Sequence, residues 1–121
     1  MNKLLRGVFT GLIAGAIMFP QTSFATTDWV KGTVTRMLTM NDKFGECMVL
    51  LSSKSDSLSC SNWVTFDCTA SLSGNTKAAA SRKLNAAQLA MVTGNRVRVL
   101  VDDSQKINGQ CYAPRIDVYA D

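Results

Sequence analysis

Cys47, Cys60, Cys68 and Cys111 are the four cysteines of a 121-residue chain that contains no histidine. Mixed Cys/His zinc sites are thereby excluded. A four-cysteine zinc site would use close C-x-x-C knuckles, whereas the spacings here are 13, 8 and 43 residues. A redox pair would want two neighbouring thiols at a helix N-terminus. The even count therefore reads as two structural disulfides, with no cofactor and no metal, provided that the chain matures in an oxidising compartment.

The N-terminus meets that condition. Lys3 and Arg6 precede an apolar stretch from Val8 to Phe19, Pro20 and Gln21 close it, and Ser23-Phe24-Ala25 puts small residues at both critical cleavage positions. This predicts a secretory signal over residues 1–25 and a periplasmic or secreted product. The apolar run spans 12 residues, short of the roughly 20 that a bilayer-crossing helix needs. Cleavage leaves residues 26–121 as one small domain whose thin core gains from cross-links. Lys3 and Arg6 leave with the leader, so the net charge of +4 falls to about +2. A balance that small argues against nucleic acid as the partner, and no membrane attachment is expected after cleavage.

Hydrophobic alternation divides the domain. Asp28 to Met40 predicts a first strand, with Gly32 marking a bulge or a close backbone approach. Glu46–Leu51 and Trp63–Cys68 predict an antiparallel pair around a serine-rich loop. Aligning Cys47 with Cys68 sets Val49 opposite Phe66 and Leu51 opposite Val64, so that all six side chains share a face. That register favours Cys47–Cys68 and leaves Cys60–Cys111 to tie the loop to the last strand. Lys77 to Val92 predicts a helix, capped by Asn75 or Thr76 at its start and Gly94 at its end, with Ala80, Leu84, Ala87 and Met91 as its apolar stripe. Arg96 to Val101 then alternates with Val97, Val99 and Val101 inward. Asn108-Gly109 makes a hairpin into a final strand that carries Ile116 and Val118 on the inner phase.

Three strands, a helix and two strands make a mainly β domain with one helix. The expected architecture is a five-stranded OB-fold-like barrel with the helix between strands 3 and 4, and a split α+β sheet is the runner-up. The stretches GTVTRML, AAQLAMVTGNRVRVLVDD and GQCYAPRIDVY, with cysteines bracketing the third strand, resemble a group of small secreted bacterial proteins, mostly of unknown function. The element order is also similar to that of the B subunits of pentameric bacterial toxins. That second resemblance is architectural, and what it implies is a fold, ring assembly and glycan binding. It assigns no site residue.

Catalytic groups are scarce. Without histidine there is no Ser-His-Asp or Cys-His arrangement, and no phosphate-cradling glycine loop occurs. Asp102 and Asp103 are adjacent and read as solvated or capping groups. No enzymatic activity is expected. Binding is better supported, because Arg96 and Arg98 share the outward phase of one strand and Arg115 and Tyr119 that of the next. Paired, those strands would form a basic, aromatic patch suited to an anionic sugar, a phosphate or a protein carboxylate, against the plainer reading of a solvated sheet face. Trp29 and Trp63 divide in the same way between sugar stacking and packing. The expected function is a non-enzymatic binding module for a glycan or a protein. The alternative is a subunit of a homo-oligomeric ring, its helix presenting Arg82, Asn85 and Gln88 outward.

Overall fold

The computed structural model describes residues 26–40 and 42–120; the expected leader lies outside the described residues. Six strands and one helix follow in the order β1 (Thr27–Gly32), β2 (Val34–Thr39), β3 (Cys47–Leu51), β4 (Trp63–Thr65), α1 (Lys77–Thr93), β5 (Val97–Ile107) and β6 (Gln110–Val118). They form one mixed sheet in the order β1-β5-β6-β4-β3-β2, in which β4 and β6 run parallel and the other pairs antiparallel. The mainly β character with one helix therefore stands. The closed five-stranded barrel does not, because the sheet has six strands, is unclosed, and places its helix between strands 4 and 5.

The extra strand comes from one break. The expected first strand divides at Thr33, so that β1 forms one edge of the sheet and β2 the other. Gly32 allows the break, because a β-carbon there would collide with the Ser52 side chain. Thr33 and Ser52 hold the corner, with Ser52 N donating to Thr33 O at 3.0 Å and Thr33 N donating to Ser52 Oγ at 2.9 Å.

The strand pairs follow the apolar alternation. Val97, Val99 and Val101 of β5 are fully buried with Val49, Val64 and Phe66, and each such side chain removed from water contributes roughly 1.5 kcal/mol or more. The pairing of β3 with β4 sets Val49 opposite Val64 and Met48 opposite Thr65. That register lies two residues from the expected one, and a slip of two keeps every side chain on its face. Strand β4 also stops at Thr65, because Asp67 adopts a positive φ of 56°. Its buried carboxylate accepts hydrogen bonds from Thr69, Ser71, Leu72 and Asn75. Cys68 is thereby turned back toward β3, and the disulfides join Cys47 to Cys68 and Cys60 to Cys111.

Helix α1 is capped as its ends require: Thr76 Oγ1 accepts from Ala79 N at 3.0 Å, and Gly94 closes the C-terminus with φ 72°. Its buried face is Ala80, Lys83, Ala87 and Ala90; of the expected stripe, Ala80 and Ala87 are buried and Leu84 packs half-buried against the core, whereas Met91 faces outward and Lys83 inward. Alanine explains the difference, since three small side chains bring the helix close to the sheet and leave the fourth position to a long stem. The Lys83 ammonium donates to Tyr112 Oη at 3.0 Å, Ala113 O at 3.1 Å and Asn75 Oδ1 at 3.5 Å, and lies 4.5 Å from the Tyr112 ring centroid. Burial pulls its pKa down to about 8, against the opposing pull of the Asp67 charge.

Candidate functional site

The pairing of β1, β5 and β6 builds one outward face. Lys31 lies opposite Arg98, Trp29 opposite Leu100, Arg98 opposite Asp117, and Leu100 opposite Arg115. Side chains alternate with period 2, so Trp29, Lys31, Arg96, Arg98, Arg115, Asp117 and Tyr119 emerge on the same side. The four expected binding residues, Arg96, Arg98, Arg115 and Tyr119, are thus on one surface.

They do not share one role. Asp117 takes Arg98 and Arg115 together: Arg98 Nη2 reaches its Oδ2 at 2.8 Å, and Arg115 Nε reaches its Oδ1 at 2.8 Å. The Arg98 hydrogen bond, followed by that of Arg115, holds the Asp117 carboxyl below its ordinary range. The same bond raises Arg98. Both guanidinium groups also lie against Trp29, with centroid distances of 4.1 Å for Arg98 and 5.4 Å for Arg115. The Nε of Arg98 is buried without a hydrogen-bond partner, consistent with a cation resting beside an aromatic ring. Arg98 and Arg115 are therefore committed to an internal cluster, and Trp29 is its hub.

Arg96 and Tyr119 stand at the other end of the face. With Lys31, Thr33 and Ser52 they line a cavity of about 580 Å³. Tyr119 N donates to Arg96 O at 2.9 Å, fixing the two segments side by side. Among the described residues, neither Lys31 nor Arg96 forms an ion pair. Lys31 lies opposite Arg98 across the strands, but Asp117 already meets the Arg98 charge, so that of Lys31 alone is unanswered there.

The serine-rich loop that follows Ser52 is bound to β1 and to its neighbour β5. Ser53 Oγ donates to Lys31 O, Ser55 and Ser57 donate to the Asp28 carboxylate, and Ser59 N donates to Asp103 Oδ2 at 3.3 Å. Asp28 is held below its ordinary pKa by Ser55, then Ser57 and Trp29 N. Hydroxyls thus stitch the loop along the β1 edge, and Cys60–Cys111 and Lys106 anchor its far end. Asp102 serves the same scaffold: burial raises its pKa, but Ser104 and Gln105 together bring it below the ordinary value. Neither Asp102 nor Asp103 joins a metal-binding group, and none of three or more His, Cys, Asp or Glu occurs among the described residues.

Sequence reasoning missed Lys31, Thr33, Ser52 and Asp117. The parity of Lys31 with Trp29 was a usable signal for the first; nothing in the spacing linked Ser52 to residues 44 positions downstream. Trp63 is elsewhere, on β4, with Arg36 5.6 Å from its ring centroid. Comparison with family models, curated proteins and solved structures finds no match for this chain.

Proposed function

We propose that the chain is an exported, non-enzymatic binding module that receives a glycan or a protein segment on the outward face of β1, β5 and β6. The observation that carries this reading is the cavity bounded by Lys31, Thr33, Ser52, Arg96 and Tyr119. It combines unpaired cations, hydroxyls and an exposed aromatic, and its lining holds no carboxylate or thiol to act as an acid, base or nucleophile. The two disulfides support export, since such bonds persist in oxidising compartments. No helix among the described residues is long and apolar enough to cross a membrane.

An OB-like architecture is the finer fold reading. Treating β1 and β2 as two halves of one bent strand leaves five strands, with the sheet folding back on itself through Thr33 and the parallel contact between β4 and β6 retained. Screening the purified protein on a glycan array and by two-dimensional NMR tests the function. Ligand-induced shifts at Lys31, Arg96 and Tyr119 are expected, and shifts confined to other surfaces would refute this reading.

A second reading rests on α1. Leu89 is 60% and Val92 76% exposed, beside Asn85 and Gln88 around a shallow hollow of about 340 Å³. Such a face suits the homo-oligomeric ring, and a strictly monomeric protein at high concentration in sedimentation experiments would exclude it.

A further inference from the structure

The cavity has a more specific chemistry than a general glycan site, and the following rests on the binding reading above. Its polar side chains are all donors or hydroxyls: the Lys31 ammonium, the Arg96 guanidinium, and the Thr33, Ser52 and Tyr119 hydroxyls. A neutral sugar presents hydroxyls that want strong acceptors such as Asp or Glu, and the lining offers none. An anion is matched to it.

The placement of the cations narrows the anion. Lys31 comes from β1 and Arg96 from the residue before β5, and Asp117 is already occupied by Arg98 and Arg115. The charges of Lys31 and Arg96 are therefore left without an internal counterpart. A carboxylate brings one charge and two oxygens. A phosphate monoester brings close to two charges and three acceptor oxygens, enough to meet both cations and a hydroxyl at once. Arginine and lysine are the side chains that take up such groups, the first as a planar fork and the second as a point charge.

Size sets the rest of the ligand. A volume of about 580 Å³ falls in the range of small-molecule sites and exceeds what a single oxyanion fills. Tyr119, 38% exposed, offers an aromatic surface for a ring beside the charged end. Gly32 and Ser52 meet closely in the lining, the Ser52 hydroxyl standing 2.4 Å from where a Gly32 β-carbon would be. We infer that the cavity between the end of β1 and the start of β5 binds a phosphomonoester carried on a sugar-sized group, with Lys31 and Arg96 holding the phosphate and Tyr119 packing against the ring.

The test is calorimetric titration of the purified protein with glucose 6-phosphate, glucose 6-sulfate, glucuronate, glucose and inorganic phosphate, with NMR shifts to locate each. Glucose 6-phosphate should bind at the cavity and at least about tenfold more tightly than the other four, as the loss of one charge-assisted hydrogen bond implies. Arg96→Ala and Lys31→Ala replace exposed side chains and should each weaken it by a similar factor while leaving the spectrum of the free protein folded. Equal affinity for glucuronate or glucose 6-sulfate at this cavity would overturn the phosphate assignment and leave the binding reading standing. Equal affinity for inorganic phosphate would overturn the sugar-sized partner. Shifts from every probe confined to α1 or β4 would overturn the inference and the binding face together.

Discussion

Lys83→Met should abolish a rise in stability with pH that the buried lysine gives the parent protein. The Lys83 ammonium sits between α1 and the sheet, 9% exposed, with Tyr112, Ala113 and Asn75 around it and Phe66 5.9 Å away. Its pKa is about 8 in the folded protein against 10.5 for a free lysine. The unfolded chain thus holds the proton more tightly, and folding is penalised wherever the folded lysine must stay charged. The full penalty, about 3 kcal/mol at 1.36 kcal/mol per pKa unit, applies below pH 8. It is relieved as pH rises from 8 toward 10.5, so stability should increase with pH across that window. Between pH 7.5 and 9.5 the gain is about 2 kcal/mol, or roughly 10 °C in melting temperature for a domain of this size. Above pH 10 burial of Tyr112, whose pKa is raised, works in the opposite direction, so the comparison must stop short of it. All four cysteines are paired, which leaves no thiolate to start disulfide exchange at the alkaline end. In Lys83→Met the rise should vanish. At pH 7 the variant recovers the desolvation cost but strands the Ala113 carbonyl and Tyr112 hydroxyl, at about 1–3 kcal/mol, so its stability should lie near that of the parent. The assay is urea unfolding followed by tryptophan fluorescence from pH 7.5 to 9.5. A flat parent profile, or a slope that survives in Lys83→Met, would mean that Lys83 carries no burial penalty in the folded protein.

Removing Cys60–Cys111 by a double alanine substitution should cost about 4 kcal/mol and removing Cys47–Cys68 about 3 kcal/mol, because the closed loops span 51 and 21 residues; urea midpoints would check the order, and the reverse order would count against the loop-length account. Asp117→Asn frees Arg98 and Arg115 from their shared carboxylate and should delay elution of the protein from a heparin column, whereas unchanged elution would show the face to be of no electrostatic consequence. Gly32→Ala drives a β-carbon into the Ser52 side chain and should lower stability by about 1–3 kcal/mol; a variant that melts with the parent would mean that the serine loop gives way freely.

Alternation carried most of the legible information. It placed the β5 valines inward, put Arg96, Arg98, Arg115 and Tyr119 on a common side, and selected cysteine partners through a register that was two residues out yet preserved the faces. It failed where long-range packing overrode local pattern. Met91 continued the apolar period of α1 better than Lys83 does, but alanines brought the helix so close to the sheet that a flexible stem ending among three acceptors fitted the interior. The split at Thr33 was equally hidden, because Gly32 announced a close approach without naming Ser52 as its neighbour. The cavity was illegible for the same reason: its walls come from residues near 31, 52, 96 and 119, joined only by strand pairing. Even the arginine patch misled in part, since sequence shows the charges of Arg98 and Arg115 but not that Asp117 and Trp29 already engage them.

The corner at Thr33 ties the two margins of the sheet into one covalent strand. In sheet order β1 and β2 are as far apart as two strands can be, yet a single residue separates Gly32 from Val34. That residue also forms part of the cavity wall. A ligand that stills the corner restrains both margins together, so amide hydrogen exchange should slow in β2 as well as in β1, although no β2 side chain lines the site. The protein would then register occupancy of a small cavity as a change in how readily its whole sheet frays.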